Sequence, residues 1–149
     1  MIALITGASS GIGKEMAKNL ATRGVNLILV ARRTERLLAL KEEIVYNCPE
    51  IKVKTITADL SKEEQCFGLY NKVKDYKIDF LFNNAGFGLY GPFLETDLKD
   101  ELSMINVNIK AVHILTKLFL RDFAARNSGY ILNTASVAGF MAGPLLATY

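Results

Sequence analysis

Short apolar runs alternate with amphipathic runs along the whole chain. A continuous apolar run of four to eight residues is typical of a buried β-strand, whereas apolar positions spaced three or four apart are typical of a helix. The predicted strands are Ile2–Ile5, Val25–Ala31, Ile51–Thr57, Ile78–Phe82 and Tyr130–Asn133. Lysine and threonine interrupt Ile51–Thr57, so this strand is predicted to lie near an edge of the sheet.

Helical patterns fill the segments between these strands. They cover a stretch ending near Arg23, Thr34–Asn47, a helix opened by a capping box at Ser61–Glu64, and two pieces between about Asp97 and Arg126. Strands that alternate with helices form β-α-β crossovers and a parallel sheet. The predicted fold is therefore a doubly wound, Rossmann-type α/β/α sandwich whose five strands take the order 3-2-1-4-5. We predict one domain over residues 1–149.

Composition narrows the functional classes. The chain has 149 residues, half of them hydrophobic, so it can bury a core. A net charge of +3 is too small to predict a nucleic-acid surface. No stretch of about 18 apolar residues and no secretory leader are present, which predicts a cytoplasmic protein that does not enter the membrane. Cys48 and Cys66 are predicted to be free thiols, and no metal-binding motif occurs.

A glycine-rich turn joins the first strand to the first helix. Within Thr6–Gly13 it contains Gly7, Ser9, Ser10, Gly11, Ile12 and Gly13. Glycines at such a turn allow a pyrophosphate to approach the backbone, and the helix N-terminus offers free N–H groups to it. The serine hydroxyls add further donors. We predict that this turn binds the phosphates of a dinucleotide, with a purely structural glycine turn as the alternative.

Two arginines follow the second strand. An acidic residue about 20 residues beyond the glycines commonly holds the ribose 2′-hydroxyl of NAD. Here Arg32 lies 19 residues after Gly13 and is followed by Arg33. A guanidinium suits a 2′-phosphate by charge and by bidentate geometry, so NADP is favoured over NAD. The alternative is that both arginines only solvate the start of a helix.

Polar side chains also follow the third and fourth strands. Asp59, followed by Leu60, could accept a hydrogen bond from an adenine amino group or could be an ordinary turn residue. Asn83 and Asn84 precede Ala85 and Gly86. Two adjacent amides are costly to bury without partners, so we expect them to brace neighbouring strands beside the cofactor. A simple asparagine-rich turn is the alternative.

With these motifs in place, the sequence resembles the short-chain dehydrogenase/reductase family from Ile2 to Tyr149. The matching motifs are Thr6–Gly13, Asp59-Leu60, Asn83–Gly86, Asn108–Ala111 and a serine, Ser136, placed 13 residues before Tyr149. The resemblance implies an oxidoreductase that interconverts a carbonyl and an alcohol. It implies that Tyr149 is the acid or base at the substrate oxygen, that Ser136 holds this oxygen, and that Asn108 anchors a water in a proton relay.

One departure from the family pattern changes the expected activity. The family places a lysine four residues after the tyrosine, and the sequence stops at Tyr149. We therefore expect the C-terminal strands of the family fold to be missing and this polypeptide to have little turnover alone. The uncharged stretch after Arg126 is expected to belong to a protein interior. The fifth strand and the long helix should be exposed and promote self-association. The alternative function is a non-catalytic nucleotide-binding module acting through a partner chain.

Overall fold

The computed structural model describes residues 1–149, in which strands and helices alternate. The strands are β1 (Ile2–Thr6), β2 (Asn26–Ala31), β3 (Val53–Thr57), β4 (Phe80–Asn83) and β5 (Tyr130–Asn133). The α-helices are α1 (Gly11–Thr22), α2 (Thr34–Asn47), α3 (Glu63–Val73), α4 (Leu98–Ile105) and α5 (Val112–Ala125). A π-helical segment (Asn106–Ala111) joins α4 to α5, and a short 3-10 turn occupies Val137–Gly139.

The five strands form one parallel sheet in the order β3-β2-β1-β4-β5, which confirms the predicted topology. In its central register Leu4 lies between Ile28 of β2 and Leu81 of β4. β3 is an edge strand, as its mixed composition predicted. β5 forms the opposite edge and pairs only with β4.

A hydrophobic cluster covers each face of the sheet. Successive side chains of a strand point to opposite faces, so Ile5 and Leu29 pack with α1 and α2 whereas Leu4 and Ile28 pack with α3 and α5. Because both faces are covered by helices, the central strands are apolar at nearly every position. The three-layer arrangement leaves the carboxyl ends of the strands free for a binding site.

The predicted capping box at Ser61 and Glu64 is wrong. α3 begins at Glu63 after Lys62, and no side chain caps it. Ser61 instead donates from both its backbone N–H (3.1 Å) and its hydroxyl (2.8 Å) to Oδ1 of Asp59. These two bonds to one carboxylate oxygen are charge-assisted, and they hold Ser61 in the turn that precedes the helix.

The segment after β5 is largely exposed. Its lack of charge predicted that it would lie in a protein interior. In the structure, however, Val137, Phe140 and Met141 are exposed. The outer side of β5 is exposed as well, with Tyr130 and Leu132 among its open side chains. No helix in residues 1–149 has the combination of length and hydropathy needed to cross a bilayer.

Candidate functional site

A cleft of about 800 Å³ opens at the carboxyl edge of the sheet. It is bordered by the glycine turn and by the segments that follow β2, β3, β4 and β5. All of the predicted site residues except Gly13 line it, namely Gly7, Ser9, Ser10, Gly11, Ile12, Arg32, Arg33, Asp59, Leu60, Asn84, Ala85, Gly86, Asn108, Ser136 and Tyr149. Crevices at this edge are where open α/β sheets bind ligands.

Gly13 lies behind the turn, where it allows close packing. A Cβ on Gly13 would lie 2.5 Å from the carbonyl oxygen of Gly7 and 2.5 Å from Nδ2 of Asn84. Gly7 has a φ of +67°, and a Cβ there would lie 2.8 Å from the Cα of Ala85. Side chains at these two positions would push α1 and the segment after β4 away from the turn. Gly13 therefore shapes the floor of the cleft from outside it.

The N-terminus of α1 faces this cleft without a cap. Ser10 occupies the N-cap position, yet its side chain accepts no hydrogen bond from the helix. The first N–H of α1 that donates to a backbone carbonyl is that of Lys14, which donates to the carbonyl of Ser10 at 3.3 Å. The amides of Gly11 and Ile12, which line the cleft, thus remain available to an anion, as expected at the start of a helix. This donor set fits the phosphates of a dinucleotide.

The two arginines take different positions. Nη2 of Arg33 donates to the hydroxyls of Ser9 (3.1 Å) and Ser10 (2.9 Å), which places its guanidinium at the glycine turn. The guanidinium carbon of Arg32 lies 5.9 Å from the centroid of the Phe87 ring on the far side of β1. Sequence reasoning treated the arginines as a pair and did not find either contact, because both partners are distant in the chain.

The asparagine pair braces the neighbouring strands, as predicted, and contact of either amide with a cofactor stays a prediction. Nδ2 of Asn83 donates to Asn133 on β5 (2.9 Å) and to Thr116 on α5 (3.0 Å). Nδ2 of Asn84 donates to the carbonyl of Thr6 (3.2 Å), and its Oδ1 accepts from Thr134 (3.1 Å). These bonds tie β4 to both neighbouring strands at the edge that borders the cleft.

Sequence reasoning missed the role of Thr6. Its side chain is buried, and its hydroxyl donates to the carbonyl of Phe82 at 3.2 Å. The same oxygen accepts from the N–H groups of Asn84 (2.9 Å) and Ala85 (3.0 Å). The available signal was a hydroxyl residue at the end of an otherwise apolar strand, which needs a partner once it is buried.

Asp59 has the turn role that the sequence left open. It receives both Ser61 bonds, and its own N–H donates to the side chain of Gln65 at 2.7 Å. It also lines the cleft. Contact with an adenine stays a prediction.

Asn108 lies in the π segment and clamps the loop that follows β4. Its Oδ1 accepts from the N–H of Phe87 at 3.1 Å, and its Nδ2 donates to the carbonyl of Phe87 at 2.8 Å. A Cβ on Gly86 would lie 3.2 Å from the same Oδ1, so glycine permits this close approach. The partner that a mid-helix amide was expected to need is thus a loop backbone. A water held by Asn108 stays a prediction.

Ser136 and Tyr149 line the same cleft. Oγ of Ser136 accepts from the N–H of Ala138 at 3.2 Å, just beyond the end of β5. The Tyr149 ring lies beside Gly88, where an added Cβ would be 3.5 Å from a ring carbon. Tyr149 is 44% exposed. The cleft therefore has donors suited to phosphates near β1 and β2, one hydroxyl side chain after β5 and another beside the loop that follows β4.

A family model described as short chain dehydrogenase matches residues 1–149. The chain is 38% identical over 151 residues to a very-long-chain 3-oxoacyl-CoA reductase of Coccidioides immitis (strain RS), covering 99% of this chain and 43% of that protein. It is 36% identical over 150 residues to hydroxysteroid dehydrogenase-like protein 1 of Gallus gallus, covering 99% and 45%. The chain spans about half the length of these curated relatives.

Solved structures share the fold over nearly the whole chain. The bulky-bulky ketone specific alcohol dehydrogenase from Comamonas testosteroni has a TM-score of 0.94 and 32% identity, with 99% of this chain and 59% of that chain covered. A short-chain dehydrogenase from Sphingobium yanoikuyae in complex with NADPH has a TM-score of 0.94 and 33% identity, with 99% and 58% covered. A metagenomic short-chain oxidoreductase in complex with NADP has a TM-score of 0.92 and 32% identity, with 100% and 68% covered.

Proposed function

The chain belongs to the short chain dehydrogenase family, and from this premise we propose that it serves NADP-dependent interconversion of a carbonyl and an alcohol. One observation carries the proposal: a single cleft joins the uncapped N-terminus of α1 to the hydroxyls of Ser136 and Tyr149. The helix end suits phosphates, and the hydroxyls suit an oxygen that gains or loses a proton.

The preference for NADP over NAD rests on the basic residues after β2. Arg32 and Arg33 both line the cleft, and no acidic side chain stands at the end of β2. Arg33 is already held between the hydroxyls of Ser9 and Ser10. A dianionic 2′-phosphate would accept charge-assisted hydrogen bonds from these donors, whereas a 2′-hydroxyl gains less from a guanidinium.

The hydroxyl residues would handle the substrate oxygen. When bound, the nicotinamide supplies or receives the hydride. Ser136 would donate a hydrogen bond to the substrate oxygen and fix its position. Tyr149 would give its phenolic proton to this oxygen during reduction and take it back during oxidation. Asn108 would hold the loop at Phe87 and anchor the water through which the proton is replaced.

A bulky apolar carbonyl compound is the substrate class we propose. The ring of Phe140 lines the cleft and is 93% exposed, so an apolar ligand would remove it from water. Phe87 lines the cleft as well, whereas Tyr90, Phe93 and Met141 are exposed and belong to neither core cluster. The names of the relatives, with their very long acyl chains and bulky ketones, favour the same class.

We propose that turnover by the 149-residue polypeptide is weak. The Tyr149 ring packs beside Gly88, but the residue is 44% exposed and its hydroxyl forms no hydrogen bond, so the phenol is held less firmly than the glycine turn. Misplacement of a reacting group by about 1 Å can cost about 100-fold in rate. The second candidate is a non-catalytic nucleotide-binding module. It is favoured because the glycine turn is held by hydrogen bonds from Arg33 and Asn84, whereas the Tyr149 hydroxyl has none.

A cofactor titration tests the proposal. Isothermal titration calorimetry should give a lower dissociation constant for NADP than for NAD. The substitution Arg32→Asp should remove that difference. Equal affinity of the unmodified chain for both cofactors would contradict the assignment of NADP. Absence of binding to either would refute the proposed function.

An activity assay separates the two candidate functions. Slow oxidation of NADPH in the presence of a bulky ketone should be measurable and should fall further in Ser136→Ala and in Tyr149→Phe. Both variants should bind NADP as the unmodified chain does. Binding without any ketone-dependent turnover supports the non-catalytic module.

A further inference from the structure

A contact between Arg32 and Phe87 spans the cleft. The 5.9 Å separation of guanidinium carbon and ring centroid lies within the range of a cation–π interaction, about 6 Å. Arg32 follows β2, Phe87 follows β4, and β1 with its glycine turn lies between those strands in the sheet. The contact therefore joins two walls of the cleft over the end of β1.

The backbone of Phe87 is held by hydrogen bonds, whereas the Arg32 side chain has no polar partner. Asn108 holds the N–H and the carbonyl of Phe87 from the π segment. The next residue after Arg32, Arg33, is held at the glycine turn by two serine hydroxyls. The Arg32 side chain itself is exposed and takes part in no hydrogen bond or ion pair. Its guanidinium is thus retained by the ring alone.

We infer that Phe87 lowers the affinity of the protein for its dinucleotide, because it holds Arg32 across the path that the dinucleotide takes over the glycine turn. The inference rests on the proposed function. A dinucleotide with its phosphates at the turn extends towards β2 and β3 at one end and towards β4 and β5 at the other. It must pass between Arg32 and Phe87, so their contact opens when it binds. The released guanidinium then becomes available to a 2′-phosphate.

Breaking the Arg32–Phe87 contact costs free energy when either cofactor binds. Only NADP regains free energy from the released guanidinium, because only NADP has a 2′-phosphate. Phe87→Leu keeps an apolar side chain and removes the aromatic face. It should bind NADP and NAD about two- to five-fold more tightly, the range that an exposed cation–π contact implies. The ratio of the two affinities should stay unchanged. Phe87→Tyr keeps the aromatic face and should not show this gain for either cofactor. Damage to the fold would weaken binding, so a gain is specific to this inference.

A variant of the other partner gives the matched control. Arg32→Met keeps the length of the side chain and removes its charge. It should bind NAD more tightly by the same factor as Phe87→Leu, yet bind NADP more weakly, since the partner of the 2′-phosphate is lost. The double variant should bind NAD no more tightly than either single variant, because both substitutions remove one contact.

Nuclear magnetic resonance observes the contact directly. In the free protein the Phe87 ring should shift the Arg32 side-chain protons upfield, and the shift should vanish in Phe87→Leu and on saturation with either cofactor. A shift that persists in the saturated complex, or no gain of NAD affinity in Phe87→Leu, would overturn the inference while leaving the proposed function intact. If neither the unmodified chain nor any variant binds a cofactor, the proposed function fails and the inference fails with it.

Discussion

A single buried hydroxyl organises the end of β4. The Thr6 hydroxyl donates to the carbonyl of Phe82 and accepts from the N–H groups of Asn84 and Ala85. Thr6→Val keeps the shape of the side chain and removes the oxygen, so the N–H groups of Asn84 and Ala85 lose this acceptor. We expect the free energy of unfolding to fall by about 2–3 kcal/mol, measured by urea denaturation. NADP affinity should fall too, because Asn84 and Ala85 line the cleft.

Thr6→Ser is the matched variant. It keeps the hydroxyl and loses a methyl group, which costs about 1 kcal/mol in a core. It should therefore keep most of the cofactor affinity that Thr6→Val loses. Equal losses in both variants would show that packing, and not the hydroxyl, supports the cleft.

Cys66 should be an unreactive thiol. It is buried on α3, and burial, followed by the charges of Glu63 and Glu64, raises its pKa from 9.0 to about 11. Two pH units correspond to roughly a 100-fold smaller thiolate fraction near neutral pH, and only the thiolate reacts. Alkylation at pH 8, followed by peptide mass spectrometry, should find Cys66 unmodified in the folded protein and modified in urea.

The same shift makes stability depend on pH. The unfolded chain releases the Cys66 proton near pH 9, whereas the folded protein keeps it to about pH 11. The neutral thiol favours the folded state, so its contribution is complete below pH 9 and is lost as the pH rises through this window. Cys66→Ala should flatten the pH dependence of the unfolding free energy between pH 9 and 11. An unchanged slope would contradict the assignment.

At the scale of elements, a hydrogen bond joins α3 to α5 on one face of the sheet. The hydroxyl of Tyr70 lies 3.0 Å from both carboxylate oxygens of Asp122, and its ring meets Phe119 edge-on at 5.4 Å. Burial first, and then the Asp122 carboxylate, raises the pKa of Tyr70. The folded protein therefore keeps the proton to higher pH than the unfolded chain, and this contribution is lost above about pH 10.

Removing the hydrogen bond between Tyr70 and Asp122 should destabilise the folded protein. Tyr70→Phe keeps the ring and should lower the unfolding free energy by about 1 kcal/mol, and Asp122→Ala by a similar amount. Because both variants break the same bond, the double variant should lose less than the sum of the two. Additive losses in urea denaturation would mean that the hydrogen bond contributes nothing.

Elements were predictable from the sequence where burial imposes a pattern. The apolar runs of β1 and β2 and their crossover helices follow from strands covered on both faces, and the strand order follows from right-handed crossovers. The π segment at Asn106–Ala111 was not predictable, because six residues of altered hydrogen bonding leave no periodicity of their own. The start of α3 was mispredicted because Asp59, before the capping box, competes for Ser61.

At the scale of the molecule, topology brings the candidate site together. Residues from Gly7 to Tyr149 meet in one cleft because parallel strands end at the same edge, and this much follows from sequence. Which side chain contacts which does not follow. The Arg33–Ser10 and Asn108–Phe87 bonds join residues more than twenty positions apart, and their choice of partner depends on the packed structure.

Exposed apolar side chains predict that the chain self-associates. Leu98 and Leu102 on α4 and Ile109 in the π segment are exposed, and the outer edge of β5 leaves its backbone groups unpaired. Apolar surface and open strand edges both favour contact between copies. Light scattering should find dimers or larger species, and Leu102→Glu with Ile109→Glu should shift them towards monomer. Leu38→Glu places the same charge on an exposed apolar position of α2 and should leave the distribution unchanged. A monomeric unmodified chain at the same concentration would contradict the prediction, and loss of association in Leu38→Glu alone would move the interface to α2.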